Sequence, residues 1–446
     1  MEERASPFRD RTPMMDADAI VIGAGAAGLA AARSLAARSL RVIVLEARDR
    51  IGGRVWSVPS RRTAIPAELG AEFIHGPAPE TMALLRDAGT AAIEMAGDSW
   101  SAGDDGSLQR DGDDFLSAAG IFEGASALTT DESVDRYLRR FENDCAMREA
   151  IEMARAFVEG FDAADPAIAS VKAIADEWRS GADSTGARPL CGYAPLFERL
   201  RDACIGAGVD VRFSTTVRRI SWRRGAVSVH TEDRGHKQTI RARVAIVTLP
   251  VGVLRYTGDE SAVAFDPELP ARKRDALASI EMGHVVKVAL TFRTAFWERL
   301  HDGRYRDGAF FRGSKPPFAT YWTQFPVRTE MMHAWVGGPK AVALSGTPQP
   351  ELVERALEGL GALFGEPALV RDEFESAAMH DWHADPYARG AYSYVAVGGT
   401  SARALWAESV EDTLFFAGEA TSNDGQGGTV NGALETGQRA AREVTT

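Results

Sequence analysis

The chain has 446 residues, 45% hydrophobic and 26% charged, proportions typical of a globular protein long enough for two or three domains. Its net charge of −12 argues against a partner gripped through phosphates, nucleic acid above all. The three cysteines, Cys145, Cys191 and Cys204, form no C-x-x-C pair, which fits a reducing cytoplasm better than a disulfide framework, and no apolar run is long enough to span a bilayer.

In chain order, residues 1–15 mix both charge signs and read as a flexible N-terminus without the apolar core of a secretory signal. "AIVI" from Ala19 reads as a strand buried on both faces, and Gly23, Gly25 and Gly28 follow it in G-x-G-x-x-G spacing. Gly23 permits the tight turn, Gly25 lets the backbone approach a pyrophosphate, and Gly28 lets a helix over 26–37 pack close to the strand. The first N–H groups of that helix face the anion. A lone fingerprint is weak. Here a second apolar strand, "RVIVLEA", ends at Glu46, placed for a pair of ribose hydroxyls. In "EARDRIGGRVWS", Arg48 and Arg54 flank Gly52–Gly53, and a second glycine bend with arginines suits further pyrophosphate contact. The alternative for that stretch is an exposed basic loop.

Further on, "SAGDDGSLQRDGDD" from Ser101 is polar and acidic and predicts an exposed loop, its acidic part near 104–114. Residues 133–161 have helical spacing. "TTVRRISW" around Val217, the run from Val227 and "VAIVTLP" read as strands. In "HVVKVALTF" the alternation puts Val286, Val288 and Leu290 on one face and Lys287, Ala289 and Thr291 on the other. "GLGALFG" from Gly359 lies inside a helical pattern with no strand before it and is not a phosphate loop. No second dinucleotide fingerprint for NAD(P)H remains. His380 and His383 in "HDWH" have i, i+3 spacing but no further ligands nearby, so no metal is expected. "TLFFAGEA" reads as a strand running to Gly418–Glu419, and "TVNGALETGQ" as a helix starting at Val430 with Thr429 as N-cap.

Five of these stretches together, "IVIGAGAAGLAAA", "LEARDRIGGRVWS", "ELGAEFIHG", "HVVKVALTFRTAFW" and the tail from "DWHADPYARGAYSY" to "TVNGA", stand in the order of one family. The chain resembles the flavin-containing amine oxidases, the group of monoamine oxidases, polyamine oxidases and lysine-specific histone demethylases, from about Asp18 to the C-terminus and only loosely between 95 and 185. The resemblance implies an α/β (overall α+β) architecture. A Rossmann-like FAD-binding domain (16–80, 190–282 and 408–446) is interleaved with a substrate domain of mixed sheet and helices (81–189 and 283–407).

It also implies roles for individual residues. Gly70, Ala71, Glu72 and Phe73 line the substrate edge of the flavin. Val217 meets the adenine through its backbone, Trp382 packs against the flavin, and Gly418, Glu419, Thr429 and Val430 contact FAD. Lys287 matches the lysine that holds a water near flavin N5, and Tyr392 matches an aromatic wall of the amine channel. Thr429 stands where monoamine oxidases carry a second tyrosine, which places the chain nearer the polyamine oxidase and demethylase branches. Ala391 occupies the position of the flavin-linking cysteine, so the FAD is expected to be non-covalent. His75, in a position that spermine-oxidising members also fill with histidine, is a sensor of the amine through its near-neutral titration or, with equal weight, a hydrogen-bonded structural residue. L-amino-acid oxidases carry a carboxylate-binding arginine in the stretch that here reads Glu72–Phe73, and its loss ranks amines above amino acids. The implied activity is oxidation of a primary, secondary or polyamine to an imine by hydride transfer to flavin N5, with O2 as acceptor giving H2O2. The alternatives are an L-amino-acid oxidase and an FAD dehydrogenase with a redox-protein acceptor.

Overall fold

The computed structural model describes residues 15–103, 105–110, 119–179, 186–233, 235–259, 261–313 and 315–446. The flexible N-terminus expected over 1–15 therefore lies, but for its last residue, outside the described residues, as do Asp104 and 111–114 of the acidic loop.

Short runs of Val, Ile, Leu and Ala without alternation demand burial on both faces, and they find it in a five-stranded parallel sheet. Its spatial order is Asp210–Arg212, Val42–Leu45, Ala19–Ile22, Val244–Val247, Leu414–Phe416. Every residue of Ala19–Ile22, Val42–Leu45 and Val244–Val247 is buried. On one face Val21, Val44 and Ile246 pack with Leu29, Leu196, Leu200 and Leu434, from the helices Ala26–Ala36, Ala194–Gly206 and Val430–Glu443. On the other, Ile20, Ile43 and Ala245 pack against Ile220, Val229 and Ile240 of the antiparallel strands that follow residue 216. The architecture is α/β with a Rossmann-like half.

Glycine sets the closest approaches. A Cβ at Gly28 would lie 1.9 Å from the Gly23 carbonyl oxygen, and one at Gly437 would lie 2.1 Å from that of Ala27. The first helix thus sits on the turn below it, and the last helix of the chain lies directly against the first.

The second large sheet has seven strands in the order Phe374–Met379, Val285–Phe292, Met331–Gly337, Thr320–Thr323, Gly308–Arg312, Asp98–Ala102, Leu108–Arg110. Its alternation has the expected consequence. Val288, Leu290, Met332, Ala334 and Val336 face a core shared with the Gln349–Phe364 helix. The rows Lys287–Trp335–Thr320 and Ala289–His333–Trp322 occupy the opposite face. Gly359 lies in that helix against Tyr321, so its glycines serve packing.

Three expectations need correction. Part of the supposed acidic loop is a β-hairpin of Asp98–Ala102 and Leu108–Arg110, because Trp100 and Leu108 within it are apolar and enter the core. The helical stretch over 133–161 is two helices, Val134–Leu138 and Arg148–Gly160. It breaks at Asp144, whose carboxylate accepts from the Ala146 N–H and starts a new turn. The boundary between 80 and 81 cuts the helix Pro79–Asp87, whose Leu84 and Leu85 pack with the parallel-sheet core. Among the described residues no helix is long and apolar enough to cross a membrane.

Candidate active site

A cavity of about 620 Å3 runs from the first glycine turn to an aromatic chamber under the seven-stranded sheet. Gly23, Gly25, Glu46, Arg48, Gly53, Arg54, Gly70, Ala71, Glu72, Phe73, His75, Val217, Lys287, Trp382, Tyr392, Gly418, Glu419, Thr429 and Val430 all line it. Of the sequence candidates only Gly28 does not, since it lies behind the turn, where its missing side chain admits the Gly23 carbonyl.

The dinucleotide end is built by backbone geometry. Gly23 turns at φ +109, and Gly25, the N-cap of the Ala26–Ala36 helix, brings no side chain to cap it. The first N–H groups of that helix are left for a ligand in the cavity. Gly25 bridges Gly52 of the second bend. The Glu46 carboxylate is already oriented, accepting from the N–H of Ala24 at 2.8 Å and of Arg48 at 2.9 Å. Beside it, the Thr216–Arg223 strand shifts register between Val217 and Arg219, so its pairing is interrupted where Val217 lines the cavity. This cradle fits the pyrophosphate and ribose of FAD.

The arginines are more committed than their spacing suggests. Arg48 pairs with Asp385 at 2.7 Å, and Arg54 pairs with Glu419 at 2.8 Å and bonds the Ala391 carbonyl. Both line the cavity, and each is also paired with a carboxylate that its place in the sequence does not announce. Buried carboxylates require such partners. Burial alone would raise the Glu419 carboxyl, yet Arg54 and Arg403 hold it below its ordinary range. Arg50, which the sequence reading passed over, braces the second bend by bonds to the carbonyls of Ile51, Gly53 and Val55.

At the other end, Lys287 is 5% exposed. Its Nζ donates to the Gly70 carbonyl at 2.7 Å and to Glu72 Oε2 at 3.2 Å. Glu72 Oε1 accepts from Arg188 Nε at 3.0 Å and from Trp322 Nε1 and Gln324 Nε2, both at 2.9 Å. Burial alone would raise the Glu72 carboxyl; the charges of His333, when protonated, and of Lys287 and Arg188 hold it well below the usual range. Burial pushes the His333 imidazole down to about 4, which leaves Lys287 and Arg188 as the basic side chains paired with Glu72. Burial likewise lowers the Lys287 ammonium. Arg188, Trp322, Gln324 and His333 were all missed from sequence. Trp322 and His333 are brought together by strand pairing, which no local sequence pattern announces.

Tyr392 lines the chamber with its hydroxyl donated to the Phe161 carbonyl at 2.5 Å. Thr429 is the N-cap of Val430–Glu443, accepting from the Gly432 N–H at 3.0 Å, so its hydroxyl is engaged in the helix start. His75 packs against the rings of Phe73 and Phe161, and its remaining surface opens on the cavity. Burial pushes its imidazole down to about 4, which disfavours the charged ring and, of the two expectations for His75, supports the structural one.

His380 bonds Asp385 at 2.8 Å and packs on Trp382, while His383 lies against His284. Among the described residues no cluster of three metal-ligating side chains occurs. None of the three cysteines lines the cavity; Cys204 is buried under the first helix, where its Sγ meets the Leu29 carbonyl. The chamber also includes Glu177, whose carboxyl burial pushes up to about 7, and Arg312, over the Phe157 ring at 5.6 Å from its centroid.

Comparison with known proteins agrees with this geometry. The family described as flavin containing amine oxidoreductase matches residues 26–95 and 123–445. The chain is 31% identical to lysine-specific histone demethylase 1 homolog 2 of Oryza sativa subsp. japonica, over 99% of this chain and 58% of that protein. It is 29% identical to polyamine oxidase 4 of the same organism, over 95% and 88% of the respective lengths. It therefore spans little more than half the length of the demethylase it matches. In fold it is similar to a putrescine oxidase solved with putrescine bound (TM-score 0.79, 21% identity, 96% of this chain and 99% of that one). It is similarly close to cyclohexylamine oxidase from Brevibacterium oxydans IH-35A (TM-score 0.76, 22% identity, 96% and 98%).

Proposed function

The chain belongs to the flavin containing amine oxidoreductase family, and from that membership we propose that it oxidises a C–N bond of a small primary, secondary or polyamine to an imine, using non-covalent FAD. The continuity of the cavity carries this reading: one space joins the Gly25–Glu46 cradle to an aromatic chamber with Lys287 on its wall. The flavin, when bound, supplies the two-electron oxidation. We assign its binding to 190–282, 408–446 and the first segment from 16 carried through the Pro79–Asp87 helix, and the chamber mainly to the rest of 81–189 and to 283–407.

The protein's own part is positioning and desolvation. Phe73, Phe161, Trp322 and Tyr392 give the chamber an apolar, aromatic wall. Such a wall disfavours the ammonium form and lowers the amine's pKa, so the amine reacts as the neutral base. His75, neutral above about 4, adds no cation to repel it. Lys287 Nζ, fixed by Gly70 and Glu72, presents a proton-bearing group at the same wall. The similar polyamine and putrescine oxidases support amines as the substrate class, and the demethylase relative adds methylated lysine side chains to the candidates. O2 is the acceptor in this reading, and a redox protein the alternative.

A carboxylate-bearing substrate is the second reading, in which Arg312, a chamber-lining residue already seated over the Phe157 ring, would meet the carboxylate. Anaerobic stopped-flow mixing of the yellow protein with primary amines, secondary amines, polyamines, a dimethyl-lysine peptide and L-amino acids decides between them. Oxygen or cytochrome c is added after bleaching. Bleaching by amines is expected. Bleaching by L-amino acids alone selects the second reading, and protein that takes up no FAD rejects both.

A further inference from the structure

The polar cluster around Lys287 extends beyond Glu72. Glu68 is buried, and its Oε1 accepts from Ser57 Oγ at 2.7 Å and from the Tyr193 N–H at 2.8 Å. Its Oε2 is buried with no hydrogen-bond partner. A side cavity of about 30 Å3, separate from the main one, is lined by Glu68, Glu72, Arg188 and Gln324. That volume holds about one water, and the walls offer the polar partners a water needs. Leu190, an exposed residue, lines it too, so the cavity leads from the buried carboxylates toward the surface.

The groups facing Glu68 come from four elements. They are Lys287 on the Val285–Phe292 strand, Glu72 on its own segment, the Tyr193 phenol, which burial and the Glu68 charge push upward and keep neutral, and Arg188 on the Gly186–Pro189 strand, which shares the lining of the side cavity with Glu68. His333 is neutral at pH 7. With Lys287 and Arg188 protonated and Glu72 ionised, an ionised Glu68 leaves the cluster uncharged and a protonated Glu68 leaves it with one positive charge.

We propose that the side cavity holds a water bridging Glu68 and Glu72, and that Glu68 is a proton store for the Lys287 site, loaded from solvent when the flavin is reduced and emptied when it is reoxidised. This rests on the reading that flavin binds beside Lys287. Two electrons and one proton entering the flavin add one negative charge next to the cluster. A proton from solvent, passed by the bridging water, then forms an O–H bond at Glu68 Oε2 and offsets that charge. On reoxidation the electrons leave to the acceptor and this proton returns to solvent. Glu68 touches neither substrate nor flavin and acts as a positioning residue for charge. Burial, against the hydrogen bonds of Ser57 and Tyr193, already pushes its carboxyl up to about 7, where the transfer is nearly balanced.

The test is a potentiometric titration of the flavin in the holoenzyme across pH, for wild type and Glu68→Gln, with infrared difference spectra of the oxidised and dithionite-reduced forms. No amine is needed. The glutamine keeps an oxygen for Ser57 and Tyr193. The wild type is expected to take up one extra proton per two electrons around neutral pH. That is a tenfold change in the reduction equilibrium per pH unit, about 30 mV for a two-electron couple, and a protonated-carboxyl band is expected to grow in on reduction. Both signals are expected to vanish in Glu68→Gln. The same extra slope or band in both proteins, or neither signal in the wild type, overturns the proposal alone; protein that binds no flavin overturns the functional reading with it. If Glu68→Gln does not retain flavin, Ser57→Ala decides. It removes a bond that favours the ionised form, so the interval of extra slope must move to higher pH, and an unmoved interval overturns the proposal.

Discussion

Replacing Glu72 by glutamine tests the charge arrangement that holds Lys287. The carboxylate is 4% exposed and takes four donors, from Lys287, Arg188, Trp322 and Gln324. The amide keeps one oxygen for the Arg188–Trp322–Gln324 side. It turns an NH2 group toward Lys287 Nζ, where Oε2 had accepted at 3.2 Å. Two buried cations then lack their counter-charge, a loss of about 3–5 kcal/mol. Lys287 can limit the cost by releasing its proton. From an ordinary value of 10.5 to pH 7 that release costs at most about 5 kcal/mol, at about 1.4 kcal/mol per pH unit, and less because burial has already lowered it. A chain of 446 residues has an unfolding entropy near 0.9 kcal/mol/K, at about 2.1 cal/mol/K per residue, so Tm should fall by about 3–5 °C. The sign with pH follows from linkage. The Glu72 carboxyl is depressed in the folded state, so its contribution is complete above the ordinary glutamate range near pH 4.3 and is lost as pH falls below it. The variant should therefore lose less stability than wild type on acidification. Thermal melts of the flavin-loaded protein at pH 7 and at about pH 4, followed by tryptophan fluorescence, check both statements. A Tm unchanged at pH 7 would refute the account of Glu72 as the counter-charge of Lys287 and Arg188.

Gly28→Ala puts a methyl 1.9 Å from the Gly23 carbonyl oxygen. Backbone cannot yield cheaply there, so a cost of about 1–3 kcal/mol or more and loss of retained FAD after desalting are expected; a variant as yellow as wild type counts against the close packing. Lys287→Met should slow reoxidation of the reduced protein by O2 while amine-driven bleaching changes little, and stopped-flow rates unchanged in both half-reactions would remove Lys287 from the mechanism. His75→Phe should leave any ionisation seen between pH 6 and 8 in the bleaching rate in place, because the His75 imidazole is pushed down to about 4; disappearance of that ionisation would show that the bound state restores its charge.

Local pattern carried much of the site. The Gly23–Gly25–Gly28 spacing, the strand ending before Glu46 and the N-cap at Thr429 are consequences of φ/ψ preference and helix-end chemistry, which act over a few residues. The face of the sheet carrying Lys287 followed from period-two alternation alone. Pairings across the chain had no such signature. Nothing near Arg48 announces Asp385, and nothing near Arg54 announces Glu419. Arg188, Gln324 and His333 meet Glu72 only because three strands and the Gly70–Phe73 segment converge.

That convergence also decides the chemistry. The residue types at positions 72, 75 and 287 were plain in the sequence, but their charge states were not. Ionisation depends on desolvation and on charges within a few ångströms, and those distances exist only after residues separated by more than two hundred positions are folded together. The sequence by itself determined the dinucleotide cradle and the strand bearing Lys287; the tertiary structure decided that burial disfavours a charged His75, that Arg48 and Arg54 are paired with carboxylates, and that Glu68 and Glu72 stand behind the lysine.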